Sequence, residues 1–490
     1  MFEPSQIDSS QIKQKGILNA QIQSQIEIFK KGAPFVQLQR ACIPDDGIKR
    51  ISSEEQGQYI GKHKENSRHR VMKFVPASGA ASRMFKHLHS FRTGDDCKLS
   101  KEFIKHIQSF PFYKELDVVL NHQTQNLIDS GSWETIFKAL LSEDGLNYGS
   151  LPKALISFHP YQDQSRKALE EHLVEAAQYG ANHEGVAHIH FTLSGHHIPL
   201  VKDLLAQTQE TYEEKYGVLF DISYSIQKES TDTIAVQIDN TPFRKADGTL
   251  LFRPGGHGAL IENLNDLNTD IAIIKNIDNV CREEVQAETW RWKAILSGYV
   301  MHLSEYISNA LLSFNKEGVF SDRAALNAFV LEHFKTDITN FNDKTLFAYL
   351  NRPIRACGMV KNEGEPGGGP FWVEKNGKVD CQIVEKAQID MSNPKQAEIV
   401  QNSTHFNPVD LVCKITDFKG HAFDLRDYRD METVFISEKS LDGQALKALE
   451  LPGLWNGAMA NWLTVFVEVP LVTFNPVKTV NDLLKKNHLN

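Results

Sequence analysis

The chain of 490 residues contains no run of about 18 apolar residues, the length a membrane-crossing helix needs. Its opening, MFEPSQIDSS, carries no basic segment ahead of an apolar one, so it does not read as a secretory leader. A soluble, cytoplasmic protein is the expectation. Cysteine is scarce. Cys42, Cys97, Cys281, Cys357, Cys381 and Cys413 are scattered without a CxxC pair, which disfavours a disulfide framework and a structural zinc site and leaves free thiols. Positive charge is not in excess either: a formal charge of −9 and a pI near 6.1 give no global attraction to DNA, RNA or an anionic membrane, although a local basic pocket is compatible with them. There is no repeated unit and no extended low-complexity linker. The fingerprints GxGxxG and GxxxxGKS/T are both missing, so a dehydrogenase and a Walker-type ATPase are poor readings.

What is there suffices for a large core, because 41% of the residues are hydrophobic. Residues 1–70 are polar, with Leu18, Ile22, Ile26 and Phe29 at helical spacing, and read as a helical N-terminal extension. Val71-Met72-Lys73-Phe74-Val75 reads as a buried strand, and Ser82 as the cap of a helix whose first turn holds Arg83. Residues 100–185 look mainly helical, an addition between core elements. Strand-like segments follow at 188–192, 220–225, 234–237 and 271–275, with a helical stretch from Leu200 to Tyr216 between the first two. That β-α-β rhythm predicts an α/β fold, a mixed sheet covered by helices with helical additions. Residues 285–350 read as helical and the part from 351 to 490 as strand-rich, so the core is expected over 71–350 and a second part of it over 351–490.

Two segments carry most of the chemistry. In Ser78-Gly79-Ala80-Ala81-Ser82-Arg83 the small side chains let backbone N–H groups reach phosphate oxygens, and Arg83 adds charge-assisted hydrogen bonds. A packed strand-to-helix turn with Arg83 on the surface is the plainer alternative. Arg253-Pro254-Gly255-Gly256-His257-Gly258 supplies a second flexible concavity, with His257 a donor to phosphate or nucleotide, or else a glycine-rich turn steadied by its histidine. After the apolar 271–274 run, Asp278 in Asn276-Ile277-Asp278-Asn279 offers Mg²⁺ a hard oxygen ligand, against an Asx turn. The interruption from Glu363 to Pro370, with three successive glycines, reads either as a mobile substrate loop or as an ordinary connection.

Read together, these segments resemble the UDP-sugar pyrophosphorylase-like nucleotidyltransferases. Residues 78–84 are similar to the loop A-G-x-G-S/T-R-M/L, with Ala81 in place of the second glycine; Pro254 to Gly258 to P-x-G-H-G; Asn276 to Asn279 to N-x-D-N; and Phe474 to Leu484 to F-x-P-V-K-x-x-x-D-L-L. The resemblance spans residues 71–484, and four motifs in the expected order are more specific than any one. It implies that Ser78, Gly79, Ala80, Ser82, Gly255, Gly256 and His257 contact nucleotide, that Gln227 reads the base, that Arg83 holds the leaving pyrophosphate and that Lys478 neutralises phosphate charge. It further implies Mg²⁺ on Asp278, with Asp410 a second metal or sugar contact or an ordinary cap, and sugar hydroxyls on Glu385 and Asn407. The substrates would be a nucleoside triphosphate and a sugar 1-phosphate, without nucleic acid or membrane partners. The whole chain also resembles a long bacterial family of unknown function, found especially in Bacteroidetes, whose members carry FVPASGAASRMF, RPGGHGAL, KNEGEPGGGPFWV and STHFNPVD segments.

Other clusters are read more plainly. His188 and His190 share a strand face without a remaining metal-ligand set, which makes a structural or substrate-binding role more natural than a zinc hydrolase. Lys153 and Arg166 bind phosphate or sit on exposed helix. Trp290, Trp292, Trp455, Trp462 and Phe466 read as core or interface anchors, since no basic stripe accompanies them. The alternative to catalysis is a nucleotide-sugar-binding or regulatory protein, or transfer to another phosphorylated acceptor.

Overall fold

Val71–Pro76 is buried at its first five positions and forms a strand, as a segment covered on both faces requires. The computed structural model that shows this describes residues 2–92, 98–162, 164–364 and 367–489; Cys97 and, within the glycine-rich interruption, Glu365 and Pro366 lie outside the described residues. The chain folds as two compact units, one of Met1–Lys64, Ile226–Ala272 and Ile295–Val469, the other of Glu65–Ser225, Ile273–Ala294 and Pro470–Asn490. The expected mixed α/β architecture, a large sheet flanked by helices, is the one adopted.

Val71–Pro76, in the second unit, lies between the strands Ile271–Lys275 and Val186–Leu193, with Leu219–Ile226 next along; of these, Ile226, Ile271 and Ala272 are counted with the first unit. It runs parallel to Val186–Leu193, with Phe74 opposite His190. The helix Ile198–Tyr216 connects the last two strands; Pro199 fits its first turn and Gly217, at φ 64°, ends it in the left-handed conformation. The region read as helical contains the helices Lys98–Lys105, Tyr113–Val119, Thr124–Asp129, Trp133–Leu141 and Ala168–Tyr179, interrupted by a short hairpin of Ser157–Pro160 and Ser165–Lys167. Phe103, Phe110, Phe112 and Phe137 from this addition bury their rings in the same core as Val75 and Phe191.

In the first unit, Ile354–Lys361 pairs parallel with Leu463–Glu468 and antiparallel with Asp410–Lys414. A separate antiparallel sheet joins Gln37–Ala41, Gly369–Lys375 and Lys378–Val384. The N-terminal helix Asn19–Lys31 buries Ile22, Ile26 and Phe29 against Ile234, Val236, Leu250, Val434 and Leu449. Leu18, expected on that stripe, precedes the helix and is exposed. The strand expected over 234–237 is confined to Thr233–Ile234, paired with Phe252–Arg253.

The helix Ala168–Tyr179 is buried on nearly every side although it carries Glu170, Glu171, His172 and Glu175. Burying such groups is costly unless each finds a partner, and each does. Glu170 accepts from the Tyr212 hydroxyl and the Lys167 amide, and Glu171 from His159, Tyr161 and Gln286. His172 donates to the Ile277 carbonyl. Glu175 takes the ammonium of Lys73 at 2.8 Å, that of Lys275, and the Tyr179 hydroxyl at 3.0 Å, all inside the core. Lys73 and Lys275 sit on the two strands that lead into the Ser78–Arg83 loop and the Asn276–Asn279 loop, so one helix fixes both. The described cysteines are free, with only Cys381 partly exposed.

Glu175→Gln leaves two core ammonium groups without their anion and is expected to lower stability by about 3 kcal/mol or more; urea unfolding measures this, and a loss near zero contradicts the role of the carboxylate. Burial lowers the pKa of His190 to about 4 and, with His159 adding to it, that of His488 to about 3, from an ordinary 6.5. Below pH 6.5 the unfolded chain therefore takes up protons that the folded chain cannot, so stability is complete above that pH and declines as pH falls from 6.5 towards 4. Thermal melts are expected to be level between about pH 7 and 8 and to fall below about 6.5, with a shallower decline in His190→Asn; a level profile down to about pH 5 contradicts this.

Candidate functional site

The loop that follows Val71–Pro76 is built by three backbone bonds. The Ala77 amide donates to Thr192, the Ala81 amide to Leu151 at 3.0 Å, and the Lys153 amide to the Gly79 carbonyl at 3.2 Å. Ala81 buries its methyl completely and opens a short 3-10 turn, Ala81–Arg83. Ser82 is thus inside that turn and does not cap a helix; Ala80 holds the cap position without a side-chain bond. The Ala81–Leu151 bond anchors the start of the turn two residues ahead of where a Ser82 cap would place it. Gly79, Ala80, Ser82 and Arg83 are exposed and Ser78 partly so. Among the described residues, no acceptor meets the amides of Gly79 or Ala80, which precede that turn. A Cβ on Gly79 would point into open space, so the backbone there can be approached closely.

Beside this loop lies an ion cluster. Asp278 receives the Lys153 ammonium on Oδ2 at 2.7 Å, and the Lys478 ammonium at 3.1 Å on Oδ2 and 3.4 Å on Oδ1. Lys153 also donates to the Val477 carbonyl at 2.7 Å, and the Val480 amide bonds the Met84 carbonyl, which ties the segment carrying Lys478 to the end of the Arg83 turn. Burial works to raise the Asp278 pKa, but Lys153 and Lys478 overcome it and hold the carboxyl below its ordinary value. Burial pulls the Lys153 pKa down, with Asp278 opposing. Three residues of distant sequence origin therefore meet, with two cations on one anion. Lys153 is on a 3-10 turn with a side chain 12% exposed, and Arg166 on a short strand facing Glu171 and Glu283; the exposed-helix reading holds for neither.

The residues of the second motif are in the other unit. Gly255 and Gly258 lie against protein: added Cβ atoms would be 2.5 Å from the Thr231 carbonyl and 2.1 Å from the Pro452 carbonyl. Gly256, at φ 77°, has the left-handed turn that glycine tolerates, with Glu450 nearby. His257 stacks on Trp455 with centroids 4.1 Å apart, its Nδ1 accepts the Leu454 amide at 3.1 Å, and its Nε2 faces Glu385 Oε1 at 3.2 Å. That acceptor role of Nδ1 assigns the neutral tautomer protonated on Nε2. Glu385 Oε1 also accepts from Asn456 at 3.0 Å. Burial pushes the Glu385 pKa up, yet these donors keep the carboxyl below its ordinary value. Its Oε2 has no donor among the described residues, which leaves one carboxylate oxygen for hydroxyl groups.

The remaining candidates are placed as follows. Gln227 is half-buried and reaches Thr231 at 3.5 Å. Asn407 is buried, donating to the Gly358 carbonyl and accepting from the Val409 amide. Val409 has φ 61°, a left-handed conformation that is strained for a β-branched residue, and it sets the direction in which buried Asp410 opens the next strand. His188 pairs with Asp221, while His190 bonds Ser223 and Ser225. No group of three or more His, Cys, Asp or Glu able to hold a metal occurs among the described residues.

Sequence reasoning did not anticipate Glu175, Asn456 or the contact with His257 of Trp455, which reads from sequence as a core or interface anchor. One signal was available: Leu454-Trp455-Asn456 is bracketed by Gly453 and Gly457, the same local permissiveness that drew attention to Gly255–Gly258.

No curated protein matches the sequence. Among solved structures the chain is similar to the UDP-glucose pyrophosphorylase from Leishmania major, at 13% identity and TM-score 0.45, covering 98% of this chain and 78% of that one. It is similar to the UDP-glucose phosphorylase from Trypanosoma brucei at 12% identity and TM-score 0.47, covering 98% and 77%. The uridine diphosphate N-acetylglucosamine pyrophosphorylase from Trypanosoma brucei gives 11% identity and TM-score 0.47, covering 95% and 74%. With a match over residues 5–489, the chain belongs to the family described as Domain of unknown function (DUF4301).

Proposed function

We propose that the protein is a nucleotidyltransferase that joins a nucleoside triphosphate to a sugar 1-phosphate and releases pyrophosphate. The observation that carries this reading is the pair of ammonium groups, Lys153 and Lys478, on Asp278 beside a loop with uncommitted amides at Gly79 and Ala80. Such an arrangement suits a polyphosphate, and the transfer requires no protein nucleophile. In the reaction an oxygen of the sugar phosphate forms a bond to the α-phosphorus as the bond from that phosphorus to the bridging oxygen breaks, and pyrophosphate departs with the electron pair. Arg83 would hold the leaving group and Lys478 would screen its growing charge.

The remaining roles belong to the same proposal. Ser78 and Ser82 would add hydroxyl contacts to phosphate, Gly255, Gly256 and His257 would contact the nucleotide, and Gln227 would read the base. Glu385 and Asn407 would take sugar hydroxyls, with Asp410 a further sugar or metal contact. Asp278 would help hold a divalent ion such as Mg²⁺, whose charge would lower the repulsion between phosphates. Asp278 is ionised and oxygen-donating, but it is a single carboxylate, so it fits that ion only where phosphate oxygens and water complete the shell. No helix of the described residues is long and apolar enough to cross a membrane; soluble substrates and a cytoplasmic setting are part of the proposal.

A second reading, nucleotide-sugar binding without turnover, draws on Ala81, whose amide is already given to Leu151. The test is incubation with a panel of nucleoside triphosphates and sugar 1-phosphates, following both pyrophosphate and sugar nucleotide. Asp278→Asn and Arg83→Ala are expected to lower turnover by roughly 100-fold with unchanged circular dichroism. Turnover equal to wild type in both variants overturns the assignments, and binding without product favours the second reading.

A further inference from the structure

We propose that Lys153, Asp278 and Lys478 form an anion-selective lock, which admits a polyphosphate without a metal and keeps a bare divalent cation off Asp278 until that anion has arrived. The inference deepens the phosphate-site reading given above and rests on it. It also brings in Lys153, which none of the four motifs contains.

Both oxygens of Asp278 are engaged. Oδ2 faces Lys153 at 2.7 Å and Lys478 at 3.1 Å, and Oδ1 faces Lys478 at 3.4 Å. Two ammonium groups against one carboxylate leave the cluster with an excess positive charge. The nearby acid Asp482 acts on Lys153 as well, but its own charge is matched by Lys485 at 2.8 Å on Oδ1, while its Oδ2 caps the Lys478 and Thr479 amides, so the positive excess remains. A bare divalent ion would have to displace both ammonium groups from a single carboxylate, and no further set of acidic or histidine ligands is gathered there among the described residues.

An anion meets the opposite situation. Each ammonium has three donors and only part of them is used, the Gly79 and Ala80 amides are uncommitted, and Arg83 is exposed on the same loop. The two lysines differ in freedom. The Lys153 side chain is 12% exposed and tethered to the Val477 carbonyl, whereas that of Lys478 is 57% exposed. Lys153 is accordingly the fixed floor of the lock, and Lys478 the part that transfers from Asp278 to phosphate, freeing a carboxylate oxygen as it leaves. In this account Asp278 is first a positioning residue for the lysines.

The test uses the full chain with two probes. Tripolyphosphate is titrated calorimetrically in the presence of a chelator, and Mn²⁺ is titrated alone by the loss of its free electron paramagnetic resonance signal. Tripolyphosphate is expected to bind without metal, roughly tenfold or more weakly in Lys478→Met and in Lys153→Met, and no more weakly in Asp278→Asn. Mn²⁺ alone is expected to stay free and to become bound once tripolyphosphate is added. The exposed Lys478 keeps the test decisive if the Lys153 variant does not fold. Mn²⁺ binding by itself and lost in Asp278→Asn overturns the lock, as does tripolyphosphate binding that is absent or indifferent to Lys478. The two proposals fail separately: a lock that behaves as stated in a protein forming no sugar nucleotide removes the transferase reading alone, and turnover in a protein that binds Mn²⁺ unaided removes the lock alone.

Discussion

One buried carboxylate organises the unit that carries the phosphate-site candidates. Glu175 projects from a helix packed in the core and holds the ammonium groups of Lys73 and Lys275, which come from two different strands. Each strand then runs on into a loop, Ser78–Arg83 in one case and Asn276–Asn279 in the other. The same helix reaches the second loop again through His172 and the Ile277 carbonyl, one residue from Asp278. Because none of these groups is exposed to water, every charge must keep its partner, and that requirement ties both strands to one helix. The loops inherit the placement.

The two groups of candidate residues follow different physical logic. Around Asp278 the charges are unbalanced, the loop amides are uncommitted and the lone loop glycine faces open space, all features that favour an incoming anion. Around His257 the polar atoms are largely satisfied by the protein itself, and the glycines on either side serve close backbone packing. What stays available in the second group is one oxygen of Glu385 and the exposed edge of the stacked His257 and Trp455 pair. The proposed function draws on the two differently, the first as the phosphate site and the second as the site for sugar hydroxyls.

The fold class was legible because its signals are local. The run from Val71 to Val75, the apolar 271–274 segment and the helical stretch from Leu200 to Tyr216 each declare an element within their own residues. Small residues around Gly79 likewise marked a loop that the structure shows to be exposed. Pairing was not legible in the same way. Nothing near Lys153 in sequence announces Asp278, which is 125 residues away, and Glu175 sits in a helix whose charged residues look like a solvated face until the burial of every one is seen. The Ser82 cap failed for a related reason: a distant carbonyl, that of Leu151, claimed the Ala81 amide and moved the turn. Trp455 reads from sequence as a core or interface anchor because no basic stripe accompanies it, and its stacking on His257 is a tertiary fact.

The central claim is that the Ser78–Arg83 loop, Lys153 and Lys478 receive the phosphates of a nucleotide. A crystal structure of the protein soaked with a non-hydrolysable nucleoside triphosphate analogue tests it most directly. The account predicts phosphate density within hydrogen-bond distance of the Gly79 and Ala80 amides and of both lysine ammonium groups, with Lys478 drawn away from Asp278. An analogue bound elsewhere, with the Lys153–Asp278–Lys478 contacts unchanged, contradicts it.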